Sequence, residues 1–306
     1  MARTLTAVPR TWSWPVIRTR LLPYVLVAPA LVLIGVVLLY PLGLSIRISL
    51  YAKQLGFPER FVGFANYVRI VEDPVFLNSV KVTTIWTIGS VAGQMIVGIV
   101  LALLLHREFP GRSVFRTLLM LPWAIPNFIA ALTWVWMFSD RFGIVSHLMM
   151  QAHIVSEPVL FLANPSIALP SIILVNIWKN YAFVMIVILA ALQAIPQELY
   201  EAAEVDGASW WQSLWRITMP LILPMILIVL LLRAIWTINT FELIFIMTEG
   251  GPARQTELLP ITAFLWAFRT GLSGLGGALG VILMIVTIAF CSIYVRAYGR
   301  SLRGEV

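Results

Sequence analysis

Read for hydrophobicity alone, the chain is six long apolar runs separated by shorter polar stretches. The runs lie at roughly 22–46, 82–105, 116–138, 167–192, 221–247 and 275–297. Each is close to the ~20 residues that a helix needs to cross the hydrocarbon core of a bilayer. The pattern predicts an all-α membrane protein with six transmembrane helices. Residues 1–20 read as a cytoplasmic tail and 21–300 as a single transmembrane domain. Six spans put both termini on one side. Arg3, Arg10, Arg18 and Arg20 precede the first run, and Arg296, Arg300 and Arg303 lie at or beyond the end of the last, so that side reads as the cytoplasm. The first run is too long for a signal peptide. Its Ala28-Pro29-Ala30 lies inside the run rather than after it, so an uncleaved first helix is expected.

Composition agrees. Of 306 residues, 60% are hydrophobic and 11% charged, and the mean hydropathy is +0.92. A soluble chain carries roughly 25% charged residues, so this one uses lipid as its solvent. The net charge of +7 is carried largely by residues flanking the apolar runs. It suits anionic lipid head groups, not nucleic acid. A single cysteine, Cys291, excludes a disulfide within the chain. His106, His147 and His153 lack metal-ligand spacing, so no metal site is expected. The outer polar stretches suit a partner-facing role. The first contains Phe61, Phe64, Asn66 and Tyr67, and the second has room for a short amphipathic helix at 145–154. Trp123, Trp134 and Trp136 fit either interfacial anchors or the lining of a pathway.

The segment at 195–220 carries the most information. Pro196 suits a first helical turn, Glu198 the positive end of a helix dipole, and Gly207 a left-handed C-cap. Ser209 and Gln212 have capping-box spacing. The expected structure is helix, sharp turn, helix, with Pro220 and Pro224 leading into the fifth span. Glu198, Glu201, Glu204 and Asp206 crowd one short helix that has no basic residue. Acids three apart repel and weaken an isolated helix. The stretch is either a solvated acidic loop or a helix that meets a basic groove on another protein. Ala202 and Ala203 allow close backbone approach.

This stretch resembles the cytoplasmic loop of binding-protein-dependent ABC importer permeases. Their pattern is Glu-Ala-Ala, three residues, Gly, nine residues, then Ile-x-Leu-Pro. Here Glu201-Ala202-Ala203, Gly207 and Ile217-Thr218-Met219-Pro220 fall at those offsets, with Met219 for the usual Leu. Thr248-Glu249-Gly250-Gly251-Pro252 after Phe241-Glu242 is similar to a run in carbohydrate permeases of the maltose type, as are Leu121-Pro122-Trp123 and the region 134–138. The likeness extends from about Leu22 to Arg296. It implies a type I ABC importer permease fold in a bacterial inner membrane. It implies as partners a homologous second permease, an ABC ATPase dimer and an extracytoplasmic solute-binding protein, with lipid around the bundle. Glu198, Glu201, Ala202, Ala203, Asp206, Gly207, Ile217 and Pro220 would form the ATPase-coupling element, Glu201 contacting the ATPase and Gly207 supplying the turn. The implied cargo is a sugar or sugar-like solute.

Several polar residues fall inside the apolar runs, where ionisable groups are costly and usually functional. Asn176, Lys179 and Asn180 share one helical face by their spacing. Asn239 and Glu242 share another, and Arg233, Trp236, Thr237 and Thr240 form a third stripe. Gln94 and Asn127 are further polar neighbours. Hydrogen-bonding groups beside aromatic surface suit a sugar pathway. Polar glue between helices is the competing reading, with Lys179 paired to Glu242 or Arg233 to a partner subunit. The chain has no Gly-x-x-x-x-Gly-Lys-Ser/Thr phosphate loop. ATP and magnesium therefore belong to a partner, and no cofactor is expected here. No cluster of nucleophile, base or metal ligands points to an enzyme. The alternative is a secondary transporter driven by an ion gradient.

Overall fold

The computed structural model describes residues 14–302 apart from residue 55, with side chains from residue 22 to residue 299. Residues 1–13, with Arg3 and Arg10, and residues 303–306, with Arg303, lie outside the described residues. Helix α1 spans Trp14–Ile34 and runs through a widened π turn, Gly35–Leu39, into α2, Tyr40–Ser49. A hairpin of β1 (Tyr51–Ala52) and β2 (Arg60–Phe61) pairs Tyr51 with Phe61. Then come α3 (Ala65–Glu72) and α4 (Pro74–His106). The next two helices are α5 (Arg112–Ala124) and α6 (Asn127–Met137), followed by α7 (Ile144–Gln151) in the region read as an amphipathic helix. Helix α8 is Ala168–Gln193, α9 is Glu198–Val205 and α10 is Trp210–Ser213. A second π turn, Leu214–Thr218, leads into α11, Met219–Ile238. The chain closes with α12 (Glu242–Thr248), α13 (Leu259–Phe264) and α14 (Ser273–Leu302).

Among the described residues, five helices are long and apolar enough to cross a membrane: Leu22–Ser49, Pro74–His106, Ala168–Gln193, Trp210–Ile238 and Ser273–Gly299. The bent pair α5 and α6 makes a sixth candidate. Where the sequence reads one span at 116–138, the helix turns by 92° between Ala124 and Asn127. Pro126 has no N–H to donate, and a residue before proline is driven out of the helical region. Ile125 accordingly sits at φ −68°, ψ 131°. The run read as 221–247 also divides. α11 ends at Ile238, and α12 starts at Glu242 after a non-helical joint. Conversely, the second helix read after Ser209 is continuous with the fifth span, Trp210–Ile238. The π turns at 35–39 and 214–218 lie just before Pro41 and Pro220. A third π turn, Leu265–Arg269, follows α13 with no proline after it, so proline alone does not account for the widened turns.

The bundle is built on α4 packed along α8. Val91, Met95, Ala102 and Leu105 of α4 meet Val184, Met185, Ile188 and Leu192 of α8, with Ile222 and Val229 of α11 closing the layer. Small residues set the spacing: a Cβ on Gly98 would lie 2.5 Å from Val184, and one on Gly93 would overlap Ile177. A second layer holds Trp86, Ile172, Val175, Leu243 and Ile244. Trp86, fully buried, donates its Nε1–H to the Thr237 carbonyl at 3.0 Å. α14 packs on α2, α11 and α13, and Tyr294 donates to the Leu227 carbonyl at 2.9 Å. The apolar window of Leu22–Ser49, by contrast, has no buried residue.

Candidate functional site

Two features stand out from the packed bundle: an arm at the end carrying α9, and a cleft between the two helix breaks. The arm is locally determined. Gly207, at φ 76°, ends α9 in the left-handed conformation. Its N–H bonds the Glu204 carbonyl at 3.0 Å, and the Ala208 N–H bonds the Ala203 carbonyl at 2.9 Å. These are the two bonds of a Schellman stop. Ser209 and Gln212 then cap α10 reciprocally: the Ser209 N–H donates to Gln212 Oε1 at 2.7 Å and the Gln212 N–H to Ser209 Oγ at 3.4 Å. No residue of α9 is buried. Glu198, Glu201, Ala202 and Asp206 are exposed and Ala203 half-buried. Among the described residues none of the arm's four acids has an ion-pair partner. Val205 is 88% exposed. The arm is tied to the bundle by Tyr200 Oη and Thr218 Oγ1, 2.9 Å apart, across a hollow of about 360 Å³ that Arg107 and Trp210 help to line. Ile217 is half-buried in the π turn, and Pro220 is exposed at the start of α11. An isolated helix of fewer than ~12 residues is marginal in water. α9 has eight residues and buries none of them.

The cleft encloses about 550 Å³ halfway along α8. Asn176, Lys179, Asn180, Arg233, Trp236, Asn239, Thr240 and Glu242 all line it, joined by Trp123, Asn127, Phe241 and Leu243. The three separate faces read from spacing therefore converge. They do so because both interrupted helices break at this level and turn their ends inward. Thr237 is the exception; it is 1% exposed, is absent from the lining, and its carbonyl accepts from Trp86.

The polar groups are connected. Lys179, 4% exposed, donates from Nζ to the Trp123 carbonyl at 3.0 Å. That carbonyl belongs to the last turn of α5, which the break deprives of its helical partner. Arg233, 5% exposed, donates its Nε–H to Gln94 Oε1 at 2.7 Å. Gln94, fully buried on α4, donates in turn to the Asn176 carbonyl at 3.3 Å. Asn180 donates to Asn176 Oδ1 at 2.7 Å, whereas Asn176 Nδ2 is buried with no partner. The pairing of Lys179 with Glu242 expected under the glue reading does not form. The ion pairs among the described residues are Arg47–Glu59, Lys53–Glu59, Arg254–Glu257 and Arg269–Glu249, all away from the cleft.

Aromatic rings floor the site. Trp123 packs on Phe183 at 6.4 Å between centroids, and Phe183 on Trp236 at 5.1 Å. The Arg233 guanidinium lies 5.5 Å from the Trp236 ring centre. Trp123 thus belongs to the cleft. Trp134 packs against Phe138 and Trp178, and only Trp136, 67% exposed, keeps the position of an anchor. The sequence signal for Trp123 was Pro122 and Pro126 closely flanking it, which marks a bend inside an apolar run. Gln94 carried no signal beyond its polarity.

The Thr248–Pro252 motif lies elsewhere. Thr248 and Thr256 hydroxyls are 2.6 Å apart, Asn78 donates to the Arg254 carbonyl at 2.9 Å, and the Leu259 N–H donates to Thr83 Oγ1 at 3.0 Å. The loop fastens α12 and α13 to the start of α4. Inside it Glu257, 4% exposed, accepts from Thr262 at 3.0 Å; burial pushes its carboxyl above the ordinary range, while Thr262 and Arg254 oppose that rise. Among the described residues there is no group of three His, Cys, Asp or Glu able to hold a metal.

Comparison with known proteins agrees with this architecture. Residues 94–304 match the family described as binding-protein-dependent transport system inner membrane component. The chain is 33% identical over 276 residues to the trehalose/maltose transport system permease protein MalF of Thermococcus litoralis, covering 90% of this chain and 92% of that one. It is 33% identical over 290 residues to the sulfoquinovosyl glycerol transport system permease protein SmoG of Agrobacterium fabrum, covering 94% of each. Its fold is similar, at a TM-score of 0.82 and 26% identity, to a chain of a bacterial alginate ABC transporter solved in complex with an alginate pentasaccharide-bound periplasmic protein. That match covers 94% of this chain and 98% of the other.

Proposed function

The chain belongs to the family of binding-protein-dependent transport system inner membrane components, and on that premise we propose that its central cleft is the passage for a sugar or sugar-like solute. The chain is a non-catalytic permease subunit of a bacterial ABC importer and has the type I importer permease fold. The observation that carries the passage reading is the convergence of all eight expected pathway residues on one cleft at two helix breaks. Hydrogen-bonding groups next to Trp123 and Trp236 suit a polyhydroxylated ring, and the volume is in the roughly 300–1,000 Å³ range of ligand clefts.

The remaining parts follow from what the surface offers. Glu198, Glu201, Ala202, Ala203, Asp206, Gly207, Ile217 and Pro220 form the coupling element, with α9 seated in a basic groove of an ABC ATPase that holds ATP and magnesium. The arm's unpaired acids and lack of buried residues support this. The α9 end faces the cytoplasm together with both termini, which suits Arg107, Arg112, Arg116, Arg216 and Arg296 at that end. The region 21–300 acts as one permease domain. A homologous second permease covers part of Leu22–Ser49, whose apolar window is bare in the single chain, and lipid covers the rest. An extracytoplasmic binding protein delivers solute at the opposite end. The ion-gradient alternative shares the broken helices but finds no support in the family. Purification of the tagged chain from native membranes in mild detergent tests the assembly. Recovery of an ATPase, a second permease and a binding protein, with ATP-dependent uptake after reconstitution, is expected. Recovery of the chain alone, active in ion-driven uptake, would overturn the reading.

A further inference from the structure

We infer that the solute is an anion: a polyhydroxylated molecule carrying one carboxylate, sulfonate or phosphate that lodges between Lys179 and Arg233. This rests on the cleft being the solute passage. Two cations line one cleft within the bundle, each about nineteen-twentieths buried. Buried charges at membrane depth are ordinarily paired or face a polar cavity. Neither has a carboxylate within ion-pairing distance among the described residues. The groups facing them are neutral: Gln94 from α4, the Trp123 carbonyl from α5, Asn127 from α6, Asn176 and Asn180 from α8, and Asn239 and Thr240 from the joint after α11. Glu242 is the one carboxylate on the lining, and it is exposed and unpaired. With Lys179 and Arg233 charged, the cleft carries a net single positive charge.

Its hydrogen-bonding balance points the same way. Lys179 uses one of its three donors, on the Trp123 carbonyl. Arg233 uses only Nε; its two terminal nitrogens have no partner among the described residues. Asn176 Nδ2 is a buried donor without an acceptor. The 11-residue α6 begins at Asn127 on the lining with no side chain capping its first turn, so the positive end of its dipole opens at the same place. The unpartnered charged donors gather on Lys179 and Arg233. A sugar hydroxyl both gives and takes a hydrogen bond, whereas an acidic oxygen only takes one. An acidic group therefore satisfies these unpartnered donors and the net positive charge together, beside the Trp123 and Trp236 rings on the lining.

The test uses the complete importer, with its binding protein, second permease and ATPase, in proteoliposomes containing ATP. Import is compared within matched probe pairs that differ in the acidic group: digalacturonate against digalactose, sulfoquinovosyl glycerol against galactosyl glycerol, and sn-glycerol-3-phosphate against glycerol. The acidic member of at least one pair is expected to enter about tenfold faster or more than its neutral counterpart. Arg233→Gln and Lys179→Gln should each lower that import by about tenfold, with Arg233→Lys restoring part of it. Co-purification of the partners checks that each variant assembles, and the wild-type pairs decide the matter if a variant does not. Equal or faster import of the neutral members would overturn the inference and leave the sugar-importer reading intact, as would undiminished acidic import by assembled Arg233→Gln. Import of no member of any pair would also overturn it. Uptake independent of ATP would instead remove the importer reading beneath it.

Discussion

The arm at α9 and the cleft at the helix breaks are both polar features of a mostly apolar chain, yet they are built in opposite ways. The arm is assembled from residues within about one short stretch: Gly207 ends α9, Ser209 and Gln212 start α10, and nothing in α9 is buried. The cleft draws on α4, α5, α6, α8, α11 and α12, and its ionisable groups Lys179 and Arg233 are nearly fully buried. Under the proposed function, the local structure keeps its exposed acids for a partner and the non-local one keeps its buried donors for the solute. Helices α8 and α11 join the two: both contribute to the cleft, and α8 ends and α11 begins beside the arm.

The sharpest way to break this comparison is Glu201→Lys. It reverses a charge at the proposed docking face, on a helix with no buried residue, so the chain should insert and assemble its cleft normally. Loss of solute-stimulated ATPase activity by about tenfold or more is expected, because charge reversal against a basic groove costs several kcal/mol. Full coupling in the variant would show that the arm is only a solvated loop. Asn239→Ala probes the other side. Its amide donates to the Ile235 carbonyl and it lines the cleft, so import should fall several-fold, on the order of one lost hydrogen bond of ~1 kcal/mol. Recovery of the ATPase by co-purification should be unchanged, and normal import would remove Asn239 from the pathway.

A smaller effect separates backbone from contact in the arm. A Cβ on Gly207 would meet nothing within 4 Å, so any penalty there comes from the positive φ alone. Gly207→Ala should cost about 1 kcal/mol and Gly207→Val more, since a β-branched side chain tolerates that region least. Coupled ATPase rates should rank glycine, alanine, valine; equal rates for the two variants would discard the left-handed turn as a requirement. The smallest effect belongs to neither region. Burial raises the Glu257 carboxyl, so the folded protein holds its proton more tightly than the unfolded chain does. Its contribution to stability is therefore greatest at acid pH and declines as pH rises from the ordinary carboxylate range through the folded-state value. Thermal unfolding in detergent should show a shallow downward slope over that window, and Glu257→Gln should flatten it without altering import. An unchanged slope would place the pH dependence elsewhere.

The two regions were unequally legible. Pro196, Gly207 and the Ser209–Gln212 pair announce the arm because caps and turns are written in adjacent residues. The shared face of Asn176, Lys179 and Asn180 was legible from helical periodicity. Periodicity reports direction around a helix, however, and says nothing of where a helix stops. The run at 116–138 reads as one apolar span although Pro122 and Pro126 mark its bend, and the joint at 239–241 has neither proline nor glycine to announce it. Trp123 was therefore ambiguous between anchor and lining. Gln94, which bridges Arg233 and the Asn176 carbonyl from a third helix, looked like any other polar residue in a span.

Sequence by itself determined that this chain lives in lipid, that its apolar runs form helices, and that an acidic, well-capped arm projects from one end. Those properties depend on transfer free energy and on hydrogen bonds between near neighbours, both of which are carried by short stretches. Tertiary structure alone decided that three polar faces make one cleft and that Lys179 holds the freed Trp123 carbonyl rather than Glu242. Such pairings join residues 56 and 139 positions apart. They exist only because small residues on α4 let it lie against α8, and because two broken helices present their ends at the same depth.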